Sequence, residues 1–328
     1  MTDTPKPTPT RQVEVAVLGE ALVDIFDDRS VLGGAPFNVA RNLAALGCKP
    51  HFFSRVGADE LGVCIQAECR RFGISIRHLQ VDPVNATGAV KVSMRGHEHR
   101  FEILPDRAWD HLDGERVVSE LLKLTPQWVY FGTLAQRSPT SRQAIREGVN
   151  ATWASSFLDL NLRAGADEAS LVAASMQLAD VVKVNEEELQ RLLSWFSNET
   201  SADFASQDHT RQVLALLDRF DVLRLVVTRG LAGYVVYERG LGLTHQGAAN
   251  AVAVQDTVGA GDAFSSVLIL GAVRAWPLEV TLQRATDFAS AVCTLPGAVS
   301  TDLSWYHPWA QLWNARDAQK SGEQHESV

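Results

Sequence analysis

The chain is predicted to be an α/β protein: a central, mostly parallel sheet with helices on both faces, plus a small β lid. Two observations lead there. Gln127–Thr133, Phe157–Leu160, Val181–Val184 and Leu223–Thr228 are short apolar runs, each separated from the next by a helix-length segment. Near-continuous apolar strands alternating with helices mean a parallel sheet covered on both faces. Against that rhythm, Gly88–Met94 and His99–Leu104 are joined only across Arg95-Gly96-His97-Glu98. Such a hairpin cannot belong to a parallel crossover, so it reads as an appendage.

The remaining elements follow in order. Val13–Phe26 is a hydrophobic strand that leaves its sheet at Gly19. Pro36–Leu46 is a helix, with Pro in the first turn, apolar residues at Val39, Ala40, Leu43 and Leu46, and Gly47 as a stop. His51–Val56 is the next strand and Asp59–Phe72 the next helix, and further strands fall at Tyr234–Glu238 and Ala249–Val254. The boundaries expected are a disordered leader over 1–12, one domain over 13–314 with a lid from about 20–33 and 87–104, and a polar tail over 315–328.

Hydrophobic residues form 46% of the 328, enough for a real core, and 30 Lys+Arg against 39 Asp+Glu leave −9 at pH 7. With no basic run, nucleic acid is not an expected partner. The longest nearly apolar stretch, Ala263–Val273, is too short to span a bilayer, so no membrane role is expected. The leader MTDTPKPTPTRQ lacks the apolar segment of a secretion signal, and a cytoplasmic location is expected. Cys48, Cys64, Cys69 and Cys293 are scattered without metal-ligand spacing and read as buried thiols.

The strongest chemical signal is Asp256-Thr257-Val258-Gly259-Ala260-Gly261-Asp262, at the mouth of an apolar helix. Small residues at 259–261 let a ligand approach the N–H groups of the helix's first turn, where the dipole stabilises negative charge. Asp262 at that turn is placed to take a proton from an attacking hydroxyl. The same spacing also fits an Asp that merely complements the dipole beside glycines that ease packing.

A second constellation separates the two. Gly33-Gly34-Ala35-Pro36-Phe37-Asn38-Val39-Ala40, then Leu46-Gly47, Ser54-Arg55-Val56-Gly57-Ala58-Asp59 and Gly62, resembles the first signature of the ribokinase-like (PfkB-type) carbohydrate kinases. Asp256–Asp262 resembles the second, and the likeness extends from about Glu14 to Thr301. The resemblance implies an ATP-dependent sugar kinase with Asp262 as base and Gly259, Ala260 and Gly261 as anion hole. It implies that Asp24, Gly33, Gly34 and Asn38 bind the sugar. Asn185-Glu186-Glu187-Glu188 resembles the family's N-x-x-E element, in which Asn185 and Glu188 organise Mg²⁺ through water. Thr228, Gly230 and Gly233 match the nucleotide-side turn, although Arg229 departs from the apolar residue frequent there. Ser290 falls at the adenine pocket in place of a frequent Asn, and Asp256 and Val258 flank a K⁺ site.

Gly33-Gly34-Ala35-Pro36-x-Asn38 and Asp159-Leu160-Asn161-Leu162-Arg163 are similar to the fructokinase branch. Arg163 then donates to substrate oxygens or, alternatively, pairs with Asp159. The D-x-N-x-R element also occurs in 2-keto-3-deoxygluconate kinases, the alternative substrate class; a non-catalytic sugar sensor is the remote one. A Rossmann dehydrogenase fails because Glu20-Ala21 follow Gly19, and no Walker A element exists. Finally, Val90, Val92, Met94, Phe101 and Ile103 alternate along the hairpin, so a second copy of the chain is expected to cover them in a homodimer.

Overall fold

The computed structural model describes residues 13–95, 98–197 and 206–314, with the side chains of 94–100 excepted. The expected leader, the tail and the Gly96-His97 turn therefore lie outside the described residues.

The first half of the chain runs β1 (Val15–Leu18), β2 (Leu22–Ile25), β3 (Ser30–Gly33), α1 (Ala35–Ala45), β4 (Pro50–Gly57), α2 (Glu60–Arg71), β5 (Leu79–Asp82), β6 (Gly88–Arg95), β7 (Glu98–Ile103), α3 (Gly114–Leu124), β8 (Trp128–Gly132) and α4 (Pro139–Asn150). The second runs β9 (Ser155–Asp159), α5 (Ala169–Met176), β10 (Val181–Asn185), α6 (Glu186–Phe196), α7 (Gln207–Phe220), β11 (Arg224–Thr228), β12 (Tyr234–Glu238), β13 (Gly242–Gly247), α8 (Ala260–Val273) and α9 (Leu278–Val292). Nine strands form one sheet in the order β13-β12-β11-β10-β9-β8-β1-β4-β5. Only β12 and β13, at one edge, run antiparallel to their neighbours.

Strand alternation divides the core in two. Val15 and Val17 point to the face covered by α1, α2, α8 and α9, whereas Ala16 and Leu18 point to the face covered by α3 to α7. Neither face is wet, which is why these strands read as unbroken apolar runs. Chain order reverses across β1, which lies between β4 and β8. In open α/β sheets ligands bind beyond the carboxyl ends of strands at such a switch point.

The exit from β1 depends on Gly19. Its φ of 149° lies where side chains are disfavoured, and a Cβ there would overlap the Pro36 ring. Bare backbone lets α1 start against the end of β1 while the chain turns out into β2. There β3, β2, β6 and β7 form a separate four-stranded sheet, with β2 parallel to β6.

Three expectations need correction. Ala249–Val254 is irregular and mostly exposed, and the edge strand is β13 instead. A turn at Gly240 (φ 77°) folds β13 back onto β12, so pairing outweighed the weak propensity of its polar residues. Val90 and Val92 need no second copy, because each is 5% exposed and packs with Leu22, Trp109 and Leu112. Of the hairpin residues named above, Phe101 remains 60% exposed, and Ile103 is half-buried. Cys64 is exposed on α2, whereas Cys48 and Cys69 are buried.

Gly19→Ala should destabilise the fold by about 1–3 kcal/mol, the usual cost of overpacking, and more if the backbone cannot relax. A urea midpoint equal to wild type would show that the β1 exit has room to spare.

Candidate active site

The site is assembled from five chain segments that meet at the carboxyl ends of the central strands. Gly259 caps α8 with φ 80°, and a Cβ at that position would overlap Ala298. Ala260, Gly261 and Asp262 then form the first helical turn. A Cβ on Gly261 would come within 2.9 Å of Lys183 Nζ, so the bare turn lies directly against an ammonium. Asp262 keeps some contact with solvent, but burial pushes its carboxyl up to about 6, and Asp159 adds to the rise. Opposing them, Asn38 Nδ2 donates to Asp262 Oδ2 at 2.7 Å.

Beneath this turn lies a pair that the sequence reading did not single out. Lys183 on β10 stands opposite Asp159 on β9 in the parallel register. Its Nζ donates to both Asp159 oxygens at 2.9 Å, and both side chains are buried. Ser265 Oγ donates to Asp159 Oδ2 at 2.7 Å and Tyr130 Oη at 3.4 Å. Burial lowers the ammonium's pKa, but the surrounding carboxylates, Asp159 foremost with Asp262 and Glu188, together outweigh it and hold the group above its ordinary value. A lysine inside the apolar run Val-Val-Lys-Val was the available signal, because a buried ammonium needs a partner. Asp159 is thereby occupied, and Arg163 is not its partner.

The residues expected to bind the sugar, Asp24, Gly33, Gly34 and Asn38, lie in β2, at the end of β3 and at the start of α1. Asp24, on β2, brings Oδ2 within 3.0 Å of where a Cβ on Gly33 would stand. Gly34 caps α1 with φ 105°, and its missing Cβ leaves the Glu20 carbonyl room, 2.7 Å from that point. Past Asn161, which adopts a left-handed φ of 41°, Arg163 is exposed and donates Nη1 to the Leu162 carbonyl at 2.9 Å. Its charge lowers the pKa of Glu20, Asp24 and Asp262 together. Burial nevertheless holds Asp24 up at about 6. Glu20 was missed entirely: it is 3% exposed, Oε2 has no hydrogen-bond partner among the described residues, and burial pushes it to about 7.

On the other flank, Asn185 and Thr228 are paired across β10 and β11. Asn185 Oδ1 accepts from Glu188 N at 2.8 Å, and Glu188 Oε2 accepts from Asn185 N at 2.9 Å, a reciprocal cap on α6. Glu188 Oε1 also accepts from Leu162 N at 2.7 Å, tying that helix to the Arg163 loop. Thr228 Oγ1 donates to the Val184 carbonyl at 3.3 Å, and Arg229 Nε to Glu186 at 3.3 Å. Gly230 and Gly233, with φ of 53° and 85°, shape the turn into β12. Ser290 is buried in α9. Asp256 accepts from Val258 N at 2.9 Å and Gly297 N at 3.1 Å, so its carboxylate joins two loops. No group of three metal-ligating side chains occurs among the described residues.

Removing Lys183 while leaving Asp159 should be costly. Lys183→Met is expected to lose about 3–5 kcal/mol, because a buried carboxylate is left unpaired. Lys183→Met with Asp159→Leu should recover much of that loss in urea unfolding. A single variant as stable as wild type would show that water already reaches the pair.

Known proteins resemble this chain over most of its length. A fructokinase from Escherichia coli is 32% identical over 284 residues, covering 79% of this chain and 84% of that enzyme. The 5-dehydro-2-deoxygluconokinase 1 of Bacillus cereus is 24% identical over 272 residues, 80% of this chain and 79% of that protein. The crystal structure of a fructokinase from Vibrio cholerae, bound to fructose, ADP and calcium, superposes with a TM-score of 0.70 at 26% identity, over 89% of this chain and 96% of that one. The model of the pfkB family carbohydrate kinases matches residues 12–305, so the chain belongs to this family and is a sugar kinase.

Proposed function

We propose that the chain transfers the γ-phosphoryl group of ATP to the 6-hydroxyl of D-fructose. The observation that supports this most is Asp262, held by Asn38 at the first turn of α8 and lying, like Asp24, within the field of Arg163. In this scheme Asp262 accepts the hydroxyl proton as the sugar oxygen bonds to the γ-phosphorus and the bond to the ADP oxygen breaks. N–H groups of residues 259–261 oppose the charge that spreads over the phosphoryl oxygens. Asn185, Thr228, Gly230, Gly233 and Ser290 bound the nucleotide side.

Electrostatics favour a neutral sugar. Glu20, Asp24 and Asp262 share one exposed cation, Arg163, so a sugar acid would bring a fourth carboxylate to a single guanidinium. That argues against 2-keto-3-deoxygluconate, and the likeness to the Escherichia coli enzyme points the same way.

Mg²⁺ would be reached through water: each Glu188 oxygen already accepts one backbone N–H, which leaves one lone pair on each to accept from a metal-bound water. K⁺ would sit among main-chain carbonyls near Asp256 and Val258, where the Asp256 side chain fixes the loop. The small sheet serves as the lid that excludes water from the cleft. Its substrate-side face presents Val31 (37% exposed) and Phe101 (60%), and a two-fold partner covers them in a homodimer.

ADP release measured with fructose, 2-keto-3-deoxygluconate, ribose and adenosine should be fastest with fructose; a faster keto acid would overturn the substrate. Asp262→Asn should cut turnover about 10²–10⁴-fold. Because the base must be ionised, kcat/KM should hold above about pH 6 and fall as pH drops through it. Arg163→Ala should raise KM for the sugar far more than KM for ATP, and the reverse would move it to the nucleotide side. Sedimentation should give a dimer for the wild type and a monomer for Phe101→Glu; an unaffected dimer places the interface elsewhere.

A further inference from the structure

We propose that Arg41 is a positioning residue for phosphoryl transfer, which locks the Asn38 amide toward Asp262 and ties that amide to the lid strand β3. Arg41 lies one helical turn after Asn38 on α1, so both point the same way. It is 4% exposed, an unusual place for a guanidinium, with its plane over the Phe37 ring at 4.5 Å. Nη1 forms an ion pair with Glu68 on α2 at 3.3 Å, which accounts for the charge. Nη2 does something else. It donates to Asn38 Oδ1 at 2.6 Å and to the Leu32 carbonyl of β3 at 3.0 Å. Both hydrogens of one planar nitrogen thus join the strand that ends in Gly33 to the amide that holds the base.

Chemistry then fixes the amide. A guanidinium only donates, so Asn38 must turn Oδ1 toward Arg41, and Nδ2 is left for the Asp262 carboxylate, which only accepts. Without Arg41 the amide is free to flip and set oxygen against oxygen. The other charged groups around Asp262 stay in place, namely Asp159, Lys183, Arg163 and Glu20, and the Tyr130 phenol stays neutral against Asp159. Their effects would be unchanged, so loss of the Asn38 donor alone would raise the pH at which Asp262 is protonated. The tie to Leu32 also means that a shift of β3 is felt at the base, a route from lid to chemistry through two hydrogen bonds.

The inference rests on Asp262 being the base, and the two fail separately: active Asp262→Asn removes the base, whereas the variants below address only its positioning. Arg41→Lys keeps the charge beside Glu68 but loses the planar fork. Its kcat should fall about tenfold, and the acid limb of its pH profile should move up by about one unit, the weight of one lost charge-assisted hydrogen bond. KM for ATP should stay within about twofold. Glu68→Gln, which breaks only the ion pair, should leave the limb in place. In an Asn38→Ala background Arg41→Lys should have no further effect on kcat. Should Arg41→Lys melt below the assay temperature, the same measurements on Arg41→Gln decide. An unmoved acid limb, an undiminished effect in Asn38→Ala, or a limb shift in Glu68→Gln would each overturn the proposal and leave Arg41 a helix-packing residue.

Discussion

The buried pair Lys183–Asp159 is the interaction around which the centre of this molecule is arranged. A lysine and an aspartate at directly opposed positions of adjacent parallel strands put two charges under the first turn of α8. Neither would survive alone in that setting, since an unpaired buried ion costs several kcal/mol. Paired, and with Ser265 satisfying a further lone pair, they form a closed polar unit. Its consequence is electrostatic. Asp159 raises the pKa of Asp262 while Lys183 lowers it, so the pair sets the field without cancelling to nothing. Lys183 also sits where a larger residue at 261 would clash, so the small-residue turn and the ion pair require each other.

The overall charge of −9 gave no reason to expect phosphate binding. Local structure resolves the conflict. In the proposed function the phosphates meet the N-terminus of α8, whose bare turn at Gly261 lies against the Lys183 ammonium, so local dipole and charge offset the global sign. Three carboxylates nevertheless stay inside the cleft, and burial holds Glu20, Asp24 and Asp262 between about 6 and 7. Linkage gives this a sign. A carboxyl whose folded pKa lies above its unfolded one stabilises the fold at low pH, and that contribution is lost as pH rises through about 6 to 7. The cleft is therefore a place where stability is surrendered at neutral pH, as expected of a site built for chemistry rather than for packing.

Most secondary structure was legible because its causes are local. Apolar runs bounded by turn residues marked β1, β4 and β8 to β12, and the Pro36-to-Gly47 pattern marked α1. The strands that went unread, β3, β5 and β13, are short or polar and exist because a partner strand offers hydrogen bonds. Alternation along the hairpin correctly gave a strand, but not which face was already covered, and Val90 and Val92 turned out to pack within the chain.

The amino-acid sequence by itself determined the α/β class, the glycine-rich turn with its acid, and the family, because these depend on residues adjacent along the chain or on a fixed helical or strand period. Only the tertiary structure decided which distant residues share a boundary. It set Asp159 against Lys183 through parallel register, Asn38 against Asp262 across 224 positions, and Arg41 against β3. It also decided how strongly each carboxyl is desolvated. Those quantities depend on separation in space and on exclusion of water, and both come into being only when the layers close.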